Sequence, residues 1–129
     1  MRIIAGSARG RRIEAPPGMN TRPTLDRVKE ALFGSIQFDL PGSVVLDLFS
    51  GSGSLGLEAV SRGAELAVLN DHDANSVRCI EKNAAATGLS ERVRILQADY
   101  RIALDRLCAE GLRFDIALLD APYADGTAQ

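Results

Sequence analysis

The strongest constraint on this chain is an alternation of short apolar segments with longer amphipathic ones. Three amphipathic segments of helical periodicity are each followed by a glycine: Ser54–Arg62 by Gly63, Ala74–Thr87 by Gly88, and Tyr100–Ala109 by Gly111. A left-handed residue commonly follows a helix, and glycine favours that conformation. The apolar segments 43–49, 65–70, 92–98 and 113–120 are therefore predicted strands. This repetition predicts an α/β fold with a parallel sheet and right-handed crossovers.

The composition is that of one globular domain. With 129 residues, 46% of them apolar and 25% charged, the chain can bury a single core. We expect neither a membrane span nor a signal peptide, because no apolar run is long enough. One histidine and two cysteines, Cys79 and Cys108, make a metal site improbable. They favour a reduced, cytoplasmic setting in which both thiols are small packing residues.

The first residues differ from the rest in charge. Residues 1–35, the basic head, carry seven basic side chains against three acidic ones, whereas residues 36–129 carry eight against fourteen. Such a head can contact a polyanion, although charge alone favours a solvated surface strip. Two strands, Arg2–Gly6 and Arg11–Ala15, are predicted around the turn SARG. A helix from Thr24 to about Ile36 is predicted to share one apolar face among Leu25, Val28, Leu32 and Ile36.

A glycine-rich loop joins the first predicted strand of the alternation to its helix. We call the stretch DLFSGSGSLG, Asp47–Gly56, the glycine loop. Its residues Gly51, Gly53 and Gly56 fit the pattern GxGxxG. Glycines there allow a sharp turn and a close approach of a ligand to the helix N-terminus. Asp71 ends the next strand, where a carboxylate can accept hydrogen bonds from both hydroxyls of a ribose. The loop alone is a weak signal, and its position between strand and helix strengthens it.

Two nucleotide-like ligands fit this loop. Asp47 would repel the pyrophosphate of NAD, but it suits a ligand that carries an ammonium or sulfonium charge. Asp99, after the third strand, could accept a hydrogen bond from an adenine amino group. Acids at three strand ends therefore favour S-adenosylmethionine over NAD. The alternative is that these carboxylates cap helices, which explains Asp99 better than Asp47, because a whole loop separates Asp47 from its helix.

The fourth predicted strand ends in the tetrapeptide Asp120-Ala121-Pro122-Tyr123. Pro122 favours an extended Ala121, whose carbonyl is then presented outward. Together with the Asp120 carboxylate it could accept both hydrogens of an exocyclic amine, while Tyr123 stacks on an unpaired base. A simple turn with Tyr123 in the core is the alternative. The tetrapeptide alone does not separate the two, and its combination with the glycine loop favours the functional interpretation.

Three stretches carry a family resemblance: RIIAGSARGRRIEAPPGMNTRPTLDRVKEALF, LDLFSGSGSLGLEAVSRGA and LLDAPY. Together they resemble the bacterial 16S ribosomal RNA guanine-N2 methyltransferase family over essentially the whole chain. The resemblance implies a Rossmann-like class I methyltransferase fold, S-adenosylmethionine as cofactor, and methylation of guanine 966 of 16S rRNA during small-subunit assembly. It also implies one cytoplasmic domain, expected to be a monomer without a metal, with an RNA-contacting extension over residues 1–40 and a cofactor-binding core over 43–129.

The resemblance assigns roles by position. Those for the cofactor are Asp47, Phe49, Gly51, Ser52, Gly53, Gly56, Asp71, His72, Asp99 and Tyr100. Those for the guanine are Asp120, Ala121, Pro122 and Tyr123, and those for RNA phosphates are Arg9, Arg11, Arg12 and Arg22. The chain departs from the family at Ala121, where a second proline is usual, and at Asp71, where glutamate is usual.

The chain is also shorter than the family members it resembles. We therefore expect a sheet that is incomplete at its C-terminal side, in a fragment or a truncated protein. Two alternatives follow: a cofactor-binding module with impaired catalysis, and a methyltransferase for another nucleobase amine such as adenine N6.

Overall fold

The computed structural model describes residues 1–16 and 23–119, which form a four-stranded parallel sheet covered by helices. In chain order the elements are α1 (Pro23–Ile36), β1 (Val44–Asp47), α2 (Ser54–Ser61), β2 (Leu66–Asp71), α3 (Ala74–Thr87), a 3₁₀ turn (Ser90–Arg92), β3 (Val93–Gln97), α4 (Tyr100–Ala109) and β4 (Ile116–Leu118). Within these described ranges, none of the helices has the length and apolar character needed to cross a membrane.

The strands lie in the order β3-β2-β1-β4, all parallel. Val45 of β1 is paired with Ala67 of β2 on one side and with Ile116 of β4 on the other. Because β1 and β2 are central, they are buried on both faces, and their sequences are apolar up to the polar residues at their carboxyl ends. The predicted α/β fold with a parallel sheet is confirmed.

Two apolar clusters occupy the two faces of the sheet. Successive residues of a strand point to opposite faces, so Val45 joins one cluster and Leu46 the other. The larger cluster brings together buried residues of three helices, Phe33 of α1, Leu57 of α2 and Ile80 of α3. The smaller cluster is formed against α4. The chain is therefore a three-layer α/β structure around the central strands.

The helix ends are close to those predicted. The observed bounds of α3 and α4 match the prediction, and α2 ends one residue early, at Ser61. Gly63, Gly88 and Gly111 all have positive φ, at 113°, 73° and 73°. The glycine pattern therefore located the helix ends because each end requires the left-handed conformation.

The predicted N-terminal hairpin is only partly correct. Arg2 and Arg12 form a single antiparallel bridge instead of two paired strands. The reason is that Glu58 of α2 takes the next backbone groups: its carboxylate accepts hydrogen bonds from Ile4 N at 2.9 Å and Ala5 N at 3.0 Å. The N-terminal segment, residues 1–16, is thus held by side chains of the core.

The predicted buried face of α1 is also partly wrong. Val28 is 65% exposed, whereas Lys29 and Phe33 are buried. The Lys29 ammonium is 3.3 Å from Glu58 Oε1, and this polar contact turns the helix so that Val28 faces outward. The spacing of apolar residues does not predict this rotation of α1, because the buried Lys29 determines it.

The two cysteines differ in environment. Cys79 is half-buried, and burial raises the pKa of its thiol, which donates to Glu14 O at 3.1 Å. Cys108 is exposed, so the prediction that both thiols pack inside is wrong for Cys108. No group of His, Cys, Asp and Glu side chains that could hold a metal ion occurs within residues 1–16 and 23–119.

The N-terminal segment is anchored at Ser61, the last residue of α2. The Ser61 hydroxyl accepts from Ala8 N at 2.9 Å and donates to Ala5 O at 2.6 Å, and its carbonyl accepts from Ser7 N at 2.7 Å. Gly6 lies over this carbonyl with φ 90°, and a Cβ added there would stand 1.8 Å from Ser61 O. The close approach therefore requires glycine at position 6.

Gly6→Ala and Gly10→Ala form a matched pair that tests this anchoring. Both glycines have positive φ, but a Cβ at Gly10 would meet no described atom within 4 Å. We expect Gly10→Ala to cost about 1–2 kcal/mol of left-handed strain, and Gly6→Ala to cost more because the segment must leave Ser61. Urea unfolding and limited proteolysis of the N-terminal segment measure the difference. Equal unfolding free energies and equal proteolysis rates would contradict the anchoring.

Candidate active site

The glycine loop crosses the carboxyl edge of the sheet between β1 and α2. Gly51 and Gly53 have φ of 60° and 84°, and Gly53 N donates to Ser50 O at 2.8 Å. Both positions therefore need the left-handed conformation that glycine provides. The backbone makes a tight turn at the edge where ligands of open α/β sheets bind.

Gly56 has a different role from the first two glycines. It lies in the first turn of α2, and a Cβ there would stand 2.7 Å from Leu69 Cγ of β2. Leu69 is fully buried and cannot move freely. The third glycine of the pattern therefore lets the helix approach the sheet, which holds the first turn of α2 at the strand ends.

Asp47 holds the glycine loop from inside. The residue is fully buried, and its Oδ2 accepts hydrogen bonds from Ser50 Oγ at 2.9 Å and from Gly56 N at 3.1 Å. Gly56 N belongs to the first turn of α2, so Asp47 does satisfy a helix N-terminus. Helix capping was expected to explain Asp47 poorly because a whole loop separates it from α2, and this expectation is wrong because the loop folds back.

Asp71 holds the same loop from the end of β2. Its Oδ2 accepts from Gly51 N at 2.9 Å, and its Oδ1 accepts from Asp73 N at 2.9 Å. The Asp71 side chain remains 12% exposed, so the carboxylate borders the solvent at this edge. His72 follows it with an exposed ring whose Nδ1 is 3.7 Å from Asp71 Oδ1.

The loop after β3 closes the other side of this edge. Asp99 is exposed and caps α4 by accepting from Arg101 N at 2.9 Å. The Tyr100 ring packs against Phe49 of the glycine loop, with centroids 5.6 Å apart and planes inclined at 48°. The loops after β1, β2 and β3 thus bring the predicted cofactor residues to one rim of the sheet.

Sequence reasoning missed Asn70, which cross-links the strand ends. Its Nδ2 donates to Leu48 O at 3.2 Å and to Ala98 O at 3.1 Å, and its backbone carbonyl accepts from Ser50 N. Its Oδ1 is buried and has no hydrogen-bond partner among the residues the structure describes. The sequence signal for Asn70 was a polar residue directly after the apolar run LAVL.

Sequence reasoning also missed Glu58, a carboxylate that is buried completely in α2. Besides the amides of Ile4 and Ala5, it receives Arg62 Nε at 2.8 Å and lies beside Lys29. Arg62 in turn lies over the Phe33 ring, 5.1 Å from its centroid. An acidic residue inside an apolar helix segment, LGLEAV, was the available signal.

The remaining predicted residues divide into two groups. Asp120, Ala121, Pro122, Tyr123 and Arg22 lie outside the described residues. Arg9, Arg11 and Arg12 are exposed on the N-terminal segment, and Arg11 donates to Ala86 O of α3 at 3.2 Å. The end of β4 is described: Leu118 is paired with Asp47, and Leu118 O accepts from Leu48 N at 3.2 Å. The chain therefore leaves β4 at the rim that carries the glycine loop.

Comparison with known proteins identifies the family. The family described as Conserved hypothetical protein 95 matches residues 1–129. The chain belongs to that family. A relative from Escherichia coli (strain K12), named Ribosomal RNA small subunit methyltransferase D, is 36% identical to this chain over 126 residues. The family resemblance stated from the sequence is thereby confirmed.

Other relatives agree in sequence and in fold. YlbH of Bacillus subtilis (strain 168) is 38% identical over 125 residues, which are 97% of this chain and 68% of YlbH. A hypothetical protein of Thermus thermophilus matches with a TM-score of 0.83 and 34% identity, over 99% of this chain and 72% of its own. The E. coli alignment covers 98% of this chain and 62% of the relative. This chain thus has a class I methyltransferase fold. It spans about two thirds of the length of these relatives.

Gly56→Ala tests whether close packing holds α2 at the rim. Overpacking a buried position typically costs about 1–3 kcal/mol, so we expect a loss of unfolding free energy in that range. Gly34→Ala is the control, because Gly34 is exposed in α1 and a Cβ there meets no described atom within 4 Å. Removing that helix glycine should stabilise by about 0.5–1 kcal/mol. Chemical denaturation measures both variants, and a Gly56→Ala protein as stable as the parent would contradict the packing role.

Proposed function

We propose that this protein transfers a methyl group from S-adenosylmethionine to the N2 amine of a guanine in 16S rRNA, guanine 966, during small-subunit assembly. The observation that carries the proposal is the end of β4. Leu118 O accepts from Leu48 N, so the chain that continues to Asp120 leaves the sheet beside the glycine loop. A methyl donor at the loop and an amine held by the next residues would then share one rim.

The rim fits S-adenosylmethionine better than a dinucleotide. The glycine loop contains no basic residue, and two carboxylates, Asp47 and Asp71, lie against it. A pyrophosphate would meet negative charge there, whereas a sulfonium or ammonium group is attracted. The Asp71 carboxylate borders the solvent and would accept hydrogen bonds from ribose hydroxyls, and the buried Asn70 Oδ1 offers a further acceptor at the strand ends. When bound, the cofactor supplies an electrophilic methyl group on a sulfonium.

The guanine amine needs activation because its lone pair is conjugated with the ring. Hydrogen bonds from its N–H groups to Asp120 and to the Ala121 carbonyl would localise that pair and orient it toward the methyl group. The same acceptors stabilise the positive charge that develops on nitrogen in the transition state. Asp120 would also accept the proton that the amine loses after transfer. Tyr123 stacks on the base, which must be unpaired to reach the rim.

The basic side chains of the N-terminal segment would hold the RNA. Arg9, Arg11 and Arg12 are exposed, and the segment is anchored to the C-terminal ends of α2 and α3, while Asn83 joins its Glu14 to Ser52 of the glycine loop. Guanidinium groups on a fixed backbone position phosphates without reading sequence. We propose Arg22 as a fourth phosphate contact.

Asp120→Ala tests the amine clamp. We expect methylation of undermethylated small subunits to fall by at least about 100-fold, as when one preorganised hydrogen-bond partner of a transition state is removed. Affinity for S-adenosylhomocysteine should stay within twofold of the parent. Asp125→Ala, in the same C-terminal stretch, is the control and should remain active. Loss of activity and of S-adenosylhomocysteine binding in parallel would show that Asp120 is structural. Nucleoside analysis of the product distinguishes N2-methylguanine from N6-methyladenine.

Arg11→Ala combined with Arg12→Ala tests the RNA contact. If each arginine neutralises one phosphate of a single strand, the slope of log affinity against log salt should become less steep by about 1.4, at about 0.7 per contact. Arg106→Ala is the control, because Arg106 is exposed on α4, which packs on the opposite face of the sheet from the N-terminal segment. Filter binding to a 16S rRNA fragment between low and moderate salt measures the slopes. An unchanged slope in the double variant would show that the basic head is a solvated surface strip and does not contact RNA phosphates.

A further inference from the structure

Two side chains join the N-terminal segment directly to the glycine loop. Asn83 Nδ2 of α3 donates to Glu14 O and to Ser52 O, both at 2.8 Å. Lys29 Nζ of α1 donates to Arg2 O and to Ser54 Oγ, both at 2.9 Å. Each bridge therefore has one end on a backbone carbonyl of the segment and the other on a serine that flanks Gly53.

Both polar groups of the Asn83 side-chain amide form hydrogen bonds in this bridge. The residue is 1% exposed, its amide donates one hydrogen to each carbonyl, and its Oδ1 accepts from Glu14 N at 2.9 Å. The backbone of Glu14 is thus held at both its N–H and its C=O by a single side chain. A hydrogen bond from Lys82 at 2.7 Å lowers the pKa of Glu14 and ties its side chain to α3 as well. A movement of the Glu14 backbone would therefore also move the Asn83 amide, which binds Ser52 O.

The Lys29 bridge cannot relax independently. The ammonium and the Glu58 carboxylate are both buried, and a buried charge that loses its partner is costly. Glu58 also binds Ile4 N and Ala5 N, so the first part of the segment, α1 and the start of α2 form one connected unit. The N-terminal segment and the glycine loop are thus joined through two buried side chains, Asn83 and Lys29.

We propose that Asn83 and Lys29 are positioning residues that couple the N-terminal segment to the glycine loop, so that RNA binding and cofactor binding strengthen each other. The proposal rests on the proposed function, in which the segment contacts RNA and the loop holds S-adenosylmethionine. RNA that immobilises Arg9, Arg11 and Arg12 holds the backbone of the segment, and the bridges then hold Ser52 and Ser54 in the conformation that the cofactor requires. Linkage makes the effect reciprocal.

The decisive measurement is the affinity for S-adenosylhomocysteine with and without a 16S rRNA fragment, by calorimetry on the full chain. In the parent, RNA should tighten binding by at least about fivefold, the lower end of typical coupling between sites. Asn83→Ala, which removes the bond to Ser52 O and leaves only the Lys29 bridge, should lower this ratio clearly below that of the parent. Asn83 is the variant of choice because removing Lys29 would leave Glu58 without a buried partner charge.

Ser61→Ala is the matched control. It removes two hydrogen bonds to the N-terminal segment, from Ala8 N and to Ala5 O, and none to the glycine loop. It should weaken RNA binding while the affinity ratio remains near that of the parent. A ratio of one in the parent, a parental ratio in Asn83→Ala, or a ratio of one in Ser61→Ala would each overturn the proposal.

A measurement on the parent alone keeps the proposal testable if Asn83→Ala fails to fold. Saturation with S-adenosylhomocysteine should slow hydrogen exchange of the Glu14 amide, which donates to Asn83 Oδ1 and is outside the glycine loop. Unchanged exchange at Glu14, with protection confined to the loop, would overturn the coupling. A parent protein that binds no S-adenosylhomocysteine would refute the proposed function itself, a result distinct from binding without coupling.

Discussion

The buried carboxylate of Glu58 is the interaction on which the rest of this structure depends. One side chain in α2 receives two backbone amides of the N-terminal segment, the guanidinium of Arg62 and the ammonium of Lys29. It replaces strand pairing at Ile4 and Ala5, and it sets the rotation of α1. A carboxylate without exposure is stable only when its partners are complete. The segment, α1 and α2 therefore adopt one arrangement together.

The glycine loop is held by the same kind of contact on its other sides. Asp47 binds Gly56 N from β1, Asp71 binds Gly51 N from β2, and Asn83 binds Ser52 O from α3. Between Phe49 and Leu55 the loop contains only serine and glycine, so its side chains there are small or absent. Groups from three elements define it instead, through contacts within the protein. Preorganised polar groups of this kind lose little on binding, because their partners are already in place.

The parts of the fold that sequence patterns predicted are those that local chemistry decides. Helices α3 and α4 were located to the residue, because a glycine in the left-handed conformation ends each of them or closely follows it. Gly51 and Gly53 were recognised for the same reason. Two of the predictions that were wrong, Val28 on the buried face and a full N-terminal hairpin, concern segments whose partners lie far away in the chain. Asp47 was judged too far from its helix because distance along the chain was taken as distance in space.

The sequence by itself determined the alternation of strands and helices, the parallel sheet and the position of the glycine loop. These follow from periodicity and from the backbone freedom of glycine, which act over a few residues. Only the tertiary structure decided which polar side chains connect the elements. Glu58, Lys29 and Asn83 contact residues 25 to 69 positions away, and their roles depend on the packing of helices that no local pattern encodes. The coupling of the N-terminal segment to the glycine loop therefore belongs to the folded protein.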